Sequence, residues 1–236
     1  MSAASRTPQL SPDRLTRIGQ VVHLVTALVS AVSLVIQLGL IVAGVNVLLD
    51  DDGAPAVALG ERLVRFISYF TVQSNVLVVA ACTMLAIDPE RDGARFRVLR
   101  IASLVGITVT FVVYLVALRP ILDLHGLSVV TDAGLHIVTP LLAIGGWLVL
   151  GPRPRLALRT ILWSLLWPGA YVVYSLVRGA VTGWYPYPFV DVTQLGYPVA
   201  LRNLALIVVL MLAVGAVYLL LDRRLRWGRR GGDATV

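Results

Sequence analysis

Charge is what this chain has least of. Charged residues make up 14% of it and apolar ones 58%, with a mean hydropathy of +0.84. A soluble domain would carry about one quarter charged residues, so a soluble globular fold is excluded. Lysine is absent: all twenty basic residues are arginine, which reads as genome composition bias rather than mechanism. A single cysteine, Cys82, excludes an intramolecular disulfide and any cysteine-held metal cluster. His, Cys, Asp and Glu nowhere fall at metal-ligand spacing, and no zinc motif, P-loop or Gly-rich phosphate loop is present. No metal and no cofactor are expected.

What is present is a series of long apolar runs. Six are expected to cross a membrane, over 18–49, 63–87, 101–118, 129–150, 156–181 and 198–221, each long enough for the roughly 20 residues that a bilayer requires. The fold class is therefore all-α: a polytopic transmembrane bundle of six spans at 18–221, between a polar amino tail (1–17) and a basic carboxyl tail (222–236). The first run is too long, and lacks the small-residue cleavage site, for a signal peptide. Pro168 is expected to kink the fifth span. No internal repeat of the inverted-transporter kind is visible.

The net charge of +7 would suit a nucleic-acid partner, but the arginines lie in short loops between apolar spans, so none is expected. They alternate by side. Arg6, Arg14 and Arg17, then Arg91, Arg95, Arg97 and Arg100, then Arg153, Arg155 and Arg159, then Arg223, Arg224, Arg226, Arg229 and Arg230 together make fifteen of the twenty. The intervening loops hold Asp50, Asp51, Asp52 and Glu61, or the Tyr-, Pro- and Trp-rich stretch 182–197. The positive-inside rule then places both termini in the cytoplasm.

Polar side chains inside the spans carry the functional information, because hydrocarbon offers them no partner. Ser68, Thr71, Ser74 and Asn75 fall on one helical face of the second span. His136 lies in the fourth. Counting at 1.5 Å per residue from the expected outer ends, Thr71 sits about 12 Å deep and His136 about 10 Å, so the two share a level. Thr71 either bonds its own i−4 carbonyl or acts as a nucleophile. His136, an ionisable group within a span, is either a neutral bridge between helices or a general base. Asp132, one turn before it, either orients the imidazole or is a solvated residue at the helix end. Asn75, with Ser74 beside it, either donates to an oxyanion or bonds a neighbouring helix. Trp167, Tyr171, Tyr174 and Arg178 share one face of the fifth span, as a substrate-binding face or an interfacial anchor. Arg178, with Arg202 and Asn203 in the sixth span, is a candidate to hold a substrate carboxylate. The stretch Trp184-Tyr185-Pro186-Tyr187-Pro188-Phe189 reads as an aromatic belt over the outer mouth.

Three segments give the chain a resemblance to a known family. They are Phe70-Thr71 with the polar-apolar run to Val78; Leu135-His136 with Pro140 behind; and Thr182-Gly183-Trp184-Tyr185 with Tyr187-Pro188-Phe189 and Asp191. In order and spacing they resemble the androgen-induced and androgen-dependent membrane proteins, which hydrolyse fatty acid esters of hydroxy fatty acids. They resemble more closely the bacterial Pr6Pr-type integral membrane proteins. The resemblance implies that Thr71 matches the family's nucleophilic threonine and His136 its essential histidine. The expected function is hydrolysis of a membrane lipid ester in the plasma membrane. The alternative is a non-enzymatic binder or transporter of a small amphipathic molecule using the same polar cavity. The topology has its own check. Reporter fusions after Arg91 and Arg155 should read as cytoplasmic and those after Asp52 and Asp191 as external; inversion at any two of these sites defeats the six-span arrangement.

Overall fold

A computed structural model of the chain describes residues 12–45, 57–153 and 156–225. The acidic run Asp50–Asp52, Arg6, Arg155 and the tail arginines from 226 onward lie outside the described residues. The helices are α1 (Pro12–Val42), α2 (Leu59–Ser68), α3 (Phe70–Ile87), α4 (Ala94–Val113), α5 (Leu127–Ala133), α6 (Thr139–Val149), α7 (Leu158–Ser164), α8 (Leu166–Thr182) and α9 (Val192–Arg224). Single π turns at Tyr114–Leu118 and Gly134–Val138 continue α4 and join α5 to α6. Joined across these turns and breaks, they make six stretches long and apolar enough to cross a membrane. The chain is a multi-pass helical membrane protein.

The stretch Ala94–Ile121 is the centre of the bundle: 61% of its most apolar window is buried, against 22% for Val192–Arg224 at the periphery. Helix α3 lies between α1 and α4, and α4 also meets α6, α7 and α9. Outward faces are apolar, as with Val32 and Val35 on α1, Val173 and Val177 on α8, and Leu206 and Val209 on α9. In water such faces would form a large apolar patch; against lipid tails they cost nothing.

Three breaks interrupt the spans at positions other than those expected. The second span does not run unbroken over 63–87. Tyr69, extended at φ −75° and ψ 130°, ends α2 and starts α3, so the depth counted for Thr71 from position 63 does not follow one helix axis. The fifth span breaks at Leu165 (φ −83°, ψ −7°) rather than at Pro168. A proline clashes with the carbonyl four residues back. That residue is Ser164, the last of α7, and Pro168 itself sits in the first turn of α8, where its missing N–H is harmless. The last span begins at Val192, capped by the Asp191 carboxylate accepting from Thr193 N at 2.8 Å. It then kinks at Gly196 (φ 71°) ahead of Pro198.

The loop after α8 folds back onto the bundle instead of extending away. Tyr69 meets Trp184 and Tyr187 edge-on at centroid distances of 5.8 and 5.4 Å, and Tyr187 stacks on Phe189 at 5.1 Å. Tyr185 lies flat on α8 because residue 179 is glycine: a Cβ there would sit 2.0 Å from Tyr185 Cε1. Gly179→Ala should therefore cost about 1–3 kcal/mol of stability through overpacking. Thermal unfolding in detergent measures it. In a Tyr185→Ala background the same change should cost less than half as much; an undiminished cost would place the clash elsewhere.

Candidate functional site

Thr71 stands in the first turn of α3, immediately after the break at Tyr69. That break removes the usual fate of a membrane threonine. The carbonyl four residues back, Ile67 O, belongs to α2 and accepts from Gln73 Nε2 at 3.1 Å instead. Thr71 Oγ1 is left to meet His136 Nε2 at 3.1 Å. Its backbone N–H, one of the free donors of a helix start, points at the Tyr187 hydroxyl at 3.3 Å.

His136 is held from behind. Its Nδ1 lies 2.9 Å from Asp132 Oδ1 and 3.2 Å from the Asp132 carbonyl. Both neighbours of Nδ1 are acceptors, which favours a proton on that nitrogen and turns Nε2 toward Thr71. Asp132 accepts in turn from the Tyr114 hydroxyl at 2.5 Å on its other oxygen. The Tyr114 ring stacks on the imidazole at a centroid distance of 4.3 Å and 13° between planes. Asp132 is thus not a solvated helix end: it and His136 keep 14% and 15% of their side-chain surface exposed.

Both halves of this arrangement come from π turns, and prolines account for them. Thr139 N bonds Gly134 O five residues back, and Arg119 N likewise bonds Tyr114 O. In each case the next residue, Pro140 or Pro120, has no N–H to continue either register. The widened turns rotate His136 and Tyr114 toward each other. The carbonyl of Leu135, five before Pro140, has lost its donor in the chain and accepts from Asn75 Nδ2 at 3.2 Å.

That bond decides between the readings of Asn75. Its amide nitrogen also donates to Thr71 O at 2.9 Å, and its oxygen accepts from Ser30 Oγ at 2.8 Å. Asn75 is completely buried and its two amide hydrogens are both in use, so it is no oxyanion donor. It is a clamp joining α1, α3 and the His136 segment. Ser74, equally buried, donates to Thr71 O at 3.1 Å and lies 2.9 Å from Thr110 Oγ1; it ties α3 to α4.

The aromatic face of α8 docks against the α2–α3 junction. Trp167 Nε1 donates to Gln73 Oε1 at 2.9 Å and its ring stacks on Phe70 at 4.7 Å. Tyr171 donates to Ser68 O at 3.0 Å, and the Tyr174 hydroxyl lies 2.5 Å from Ser68 Oγ. Arg178 pairs with Glu61 at 2.6 Å and covers Trp184 at 5.0 Å from the ring centroid. It is an anchor for α2, not a free cation awaiting a carboxylate. Arg202 is exposed and bonds its neighbour's Asn203 Oδ1 at 3.1 Å, while Asn203 Nδ2 holds Phe189 O at 2.8 Å. Neither arginine lines the cavities at Thr71, so the carboxylate role falls for both.

Two cavities meet at Thr71. One, of about 80 Å³, is lined by Thr71, His136, Asp132, Gln37, Ser128 and Tyr187 among others. The second, about 50 Å³, lies among α3, α4, α8 and α9 and again touches Thr71 and Tyr187. Tyr187, read from sequence as an interfacial belt residue, is 8% exposed and belongs to both walls. Burial pushes its hydroxyl above the usual value, so it keeps its proton at neutral pH. Comparison of the chain with protein-family models, with curated proteins and with solved structures finds no match.

The clamp separates structure from chemistry by experiment. Asn75→Leu orphans the Leu135 carbonyl and removes one bond each from Thr71 O and Ser30 Oγ, at about 1–3 kcal/mol for the buried group left unpaired. Its midpoint of thermal unfolding should fall clearly below wild type. A variant that kept wild-type stability and lost only activity would restore the oxyanion role.

Proposed function

We propose that the protein is an intramembrane ester hydrolase with Thr71 as nucleophile. The observation that carries this reading is the continuous relay Thr71 Oγ1–His136 Nε2 at 3.1 Å and His136 Nδ1–Asp132 Oδ1 at 2.9 Å. Nucleophile, base and orienting carboxylate stand in the order that defines triad chemistry on unrelated folds. Tyr114 fixes the carboxylate from the far side.

His136 Nε2 takes the Thr71 proton as Oγ1 adds to the ester carbonyl carbon, and the carbonyl π pair moves onto its oxygen. The Tyr187 hydroxyl, whose oxygen accepts from the Thr71 N–H, is the donor placed to meet that oxygen, and the positive end of α3 adds to its field. Collapse of the tetrahedral species breaks the C–O bond to the alcohol, which leaves with the proton held on His136. Water, deprotonated by the same nitrogen, then cleaves the acyl-threonine and releases the acid. The β-branch of threonine restricts its χ1, which favours an Oγ1 held toward His136.

The substrate is a long-chain lipid ester, reached sideways from the bilayer; a fatty-acyl ester of a hydroxy fatty acid is the form that the resemblance of the three motifs implies. By the arginine alternation the site faces outward, with both termini cytoplasmic, in the plasma membrane.

Thr71→Ala and His136→Ala should each lower kcat for a long-chain ester by roughly 10²–10⁴-fold, and the double variant by little more, since such units are non-additive. Thr71→Ala should also abolish covalent labelling by a fluorophosphonate probe, whereas Thr71→Ser keeps it. Tyr187→Phe should cost about 10²–10³-fold in kcat. All five are purified in detergent and compared at matched thermal stability. A Thr71→Ala protein that labels and turns over like wild type removes the nucleophile, and the amphipathic-binder reading takes its place.

A further inference from the structure

Thr71 is set in the wall between two cavities. The cavity on the His136 side is lined largely by apolar side chains but holds Asp132, Gln37 and Ser128 besides the imidazole. The chamber on the other side has no charged residue in its lining, and its walls include Val109, Val172, Leu204, Ile207 and Met211. Leu204 and Met211 are themselves buried within the bundle, at 8% and 5% exposure, so this part of the wall lies inside the bundle.

Acyl-transfer chemistry dictates how an ester must lie across such a wall. The base that takes the nucleophile's proton must hand that proton to the departing oxygen. The leaving alcohol therefore lies on the imidazole's side of Thr71. The acyl substituent, on the other side of the carbonyl carbon, is directed away from His136. On the hydrolase reading given above, on which this inference rests, we propose that the acyl chain of the substrate occupies the apolar chamber between α3, α4, α8 and α9. The alcohol portion fills the cavity of His136, Gln37 and Ser128. Leu204 and Met211 of α9 then set which acyl chains are accepted.

The selection is by shape. A chain leaving lipid for a leucine- and valine-lined chamber gains no hydrophobic free energy, because lipid tails are as apolar as leucine. What changes between substrates is fit, which packing decides. The effect belongs in the ratio of kcat/KM values between acyl lengths and not in a uniform loss.

The test uses the full-length protein in lipid nanodiscs and p-nitrophenyl acetate, octanoate and palmitate as probes. Leu204→Phe narrows the chamber and should lower the palmitate-to-acetate ratio of kcat/KM at least tenfold. Met211→Ala widens it and should raise the ratio, so the proposal is still testable if the first variant does not fold. Leu122→Phe, on the His136 side, should change discrimination between ethyl and bulky branched alkyl palmitates while leaving the acyl-length ratio as in wild type. Unchanged acyl-length ratios in both α9 variants overturn the proposal. So does the reverse pattern, in which Leu122→Phe controls acyl length and the α9 variants control the alcohol. Thr71→Ala run beside them separates the two claims. If it retains turnover, or if wild type hydrolyses no ester in the series, the hydrolase reading itself fails and takes the assignment with it. If Thr71→Ala is inactive and acyl ratios do not move, only the assignment of the two cavities is wrong.

Discussion

The arrangement around Thr71 depends on backbone hydrogen bonds that the helices fail to make. In hydrocarbon every N–H and C=O has to be satisfied within the protein, so a break in register creates a demand that another element must meet. The π turn ahead of Pro140 leaves Leu135 O without a donor, and Asn75 supplies one. The break at Tyr69 frees the Thr71 N–H, and Tyr187 accepts it. Each unmet group recruits a side chain from another helix or loop. Those recruited bonds hold Thr71 and the His136 segment in place.

This explains why α3 is polar where a membrane helix is normally bland. Ser74 and Asn75 both donate to the Thr71 carbonyl, so the residue carrying the hydroxyl is fixed at its backbone from below. Phe70 is fixed by Trp167 and Tyr171 from the side. Ser68 holds the two tyrosine hydroxyls of α8 just before the break. A side chain at a helix start would otherwise fray with the first turn. Thr71 is braced by α4, α8 and the loop at 183–191, and its Oγ1 meets the imidazole.

Much of this was legible in the sequence, and what was not has definite physical reasons. Run length and hydropathy were enough for the six spans. Shared depth made Thr71 and His136 candidates for one site without making their helices neighbours, and the count for Thr71 assumed a straight helix that Tyr69 interrupts. The i, i+4 spacing offered Asp132 either as an orienting group or as a solvated helix end, and only the packing decides. Tyr114 left no signal, because its approach to His136 depends on two π turns in different spans, and a proline announces a break without saying which register will absorb it. Pro168 misled for a similar reason: a proline displaces the break toward the carbonyl it clashes with, so the interruption falls at Leu165. Arg178 and Tyr187 exchanged roles. A cation near a helix end and a tyrosine in a Pro-rich loop each look like interfacial anchors. Only the packing against Glu61 and Trp184, for one, and against Thr71, for the other, distinguishes them.

The same packing bears on why such a site is economical inside a membrane. A buried imidazole and carboxylate are costly in hydrocarbon when isolated, but Asp132 here receives a donor on each oxygen, from His136 and from Tyr114. The charge is therefore met before any substrate arrives. On the hydrolase reading, no large rearrangement would be needed at the moment of reaction, which is the condition under which fixed dipoles stabilise a developing oxyanion most strongly. Asp132 and His136 lie on one side of Thr71, and the chamber toward α9 has no charged group in its lining. On the hydrolase reading, ionisable groups on one side and none on the other would impose a direction on any molecule that has a polar junction and a hydrocarbon tail. That asymmetry, rather than the presence of a hydroxyl near a histidine, is what would make the arrangement selective.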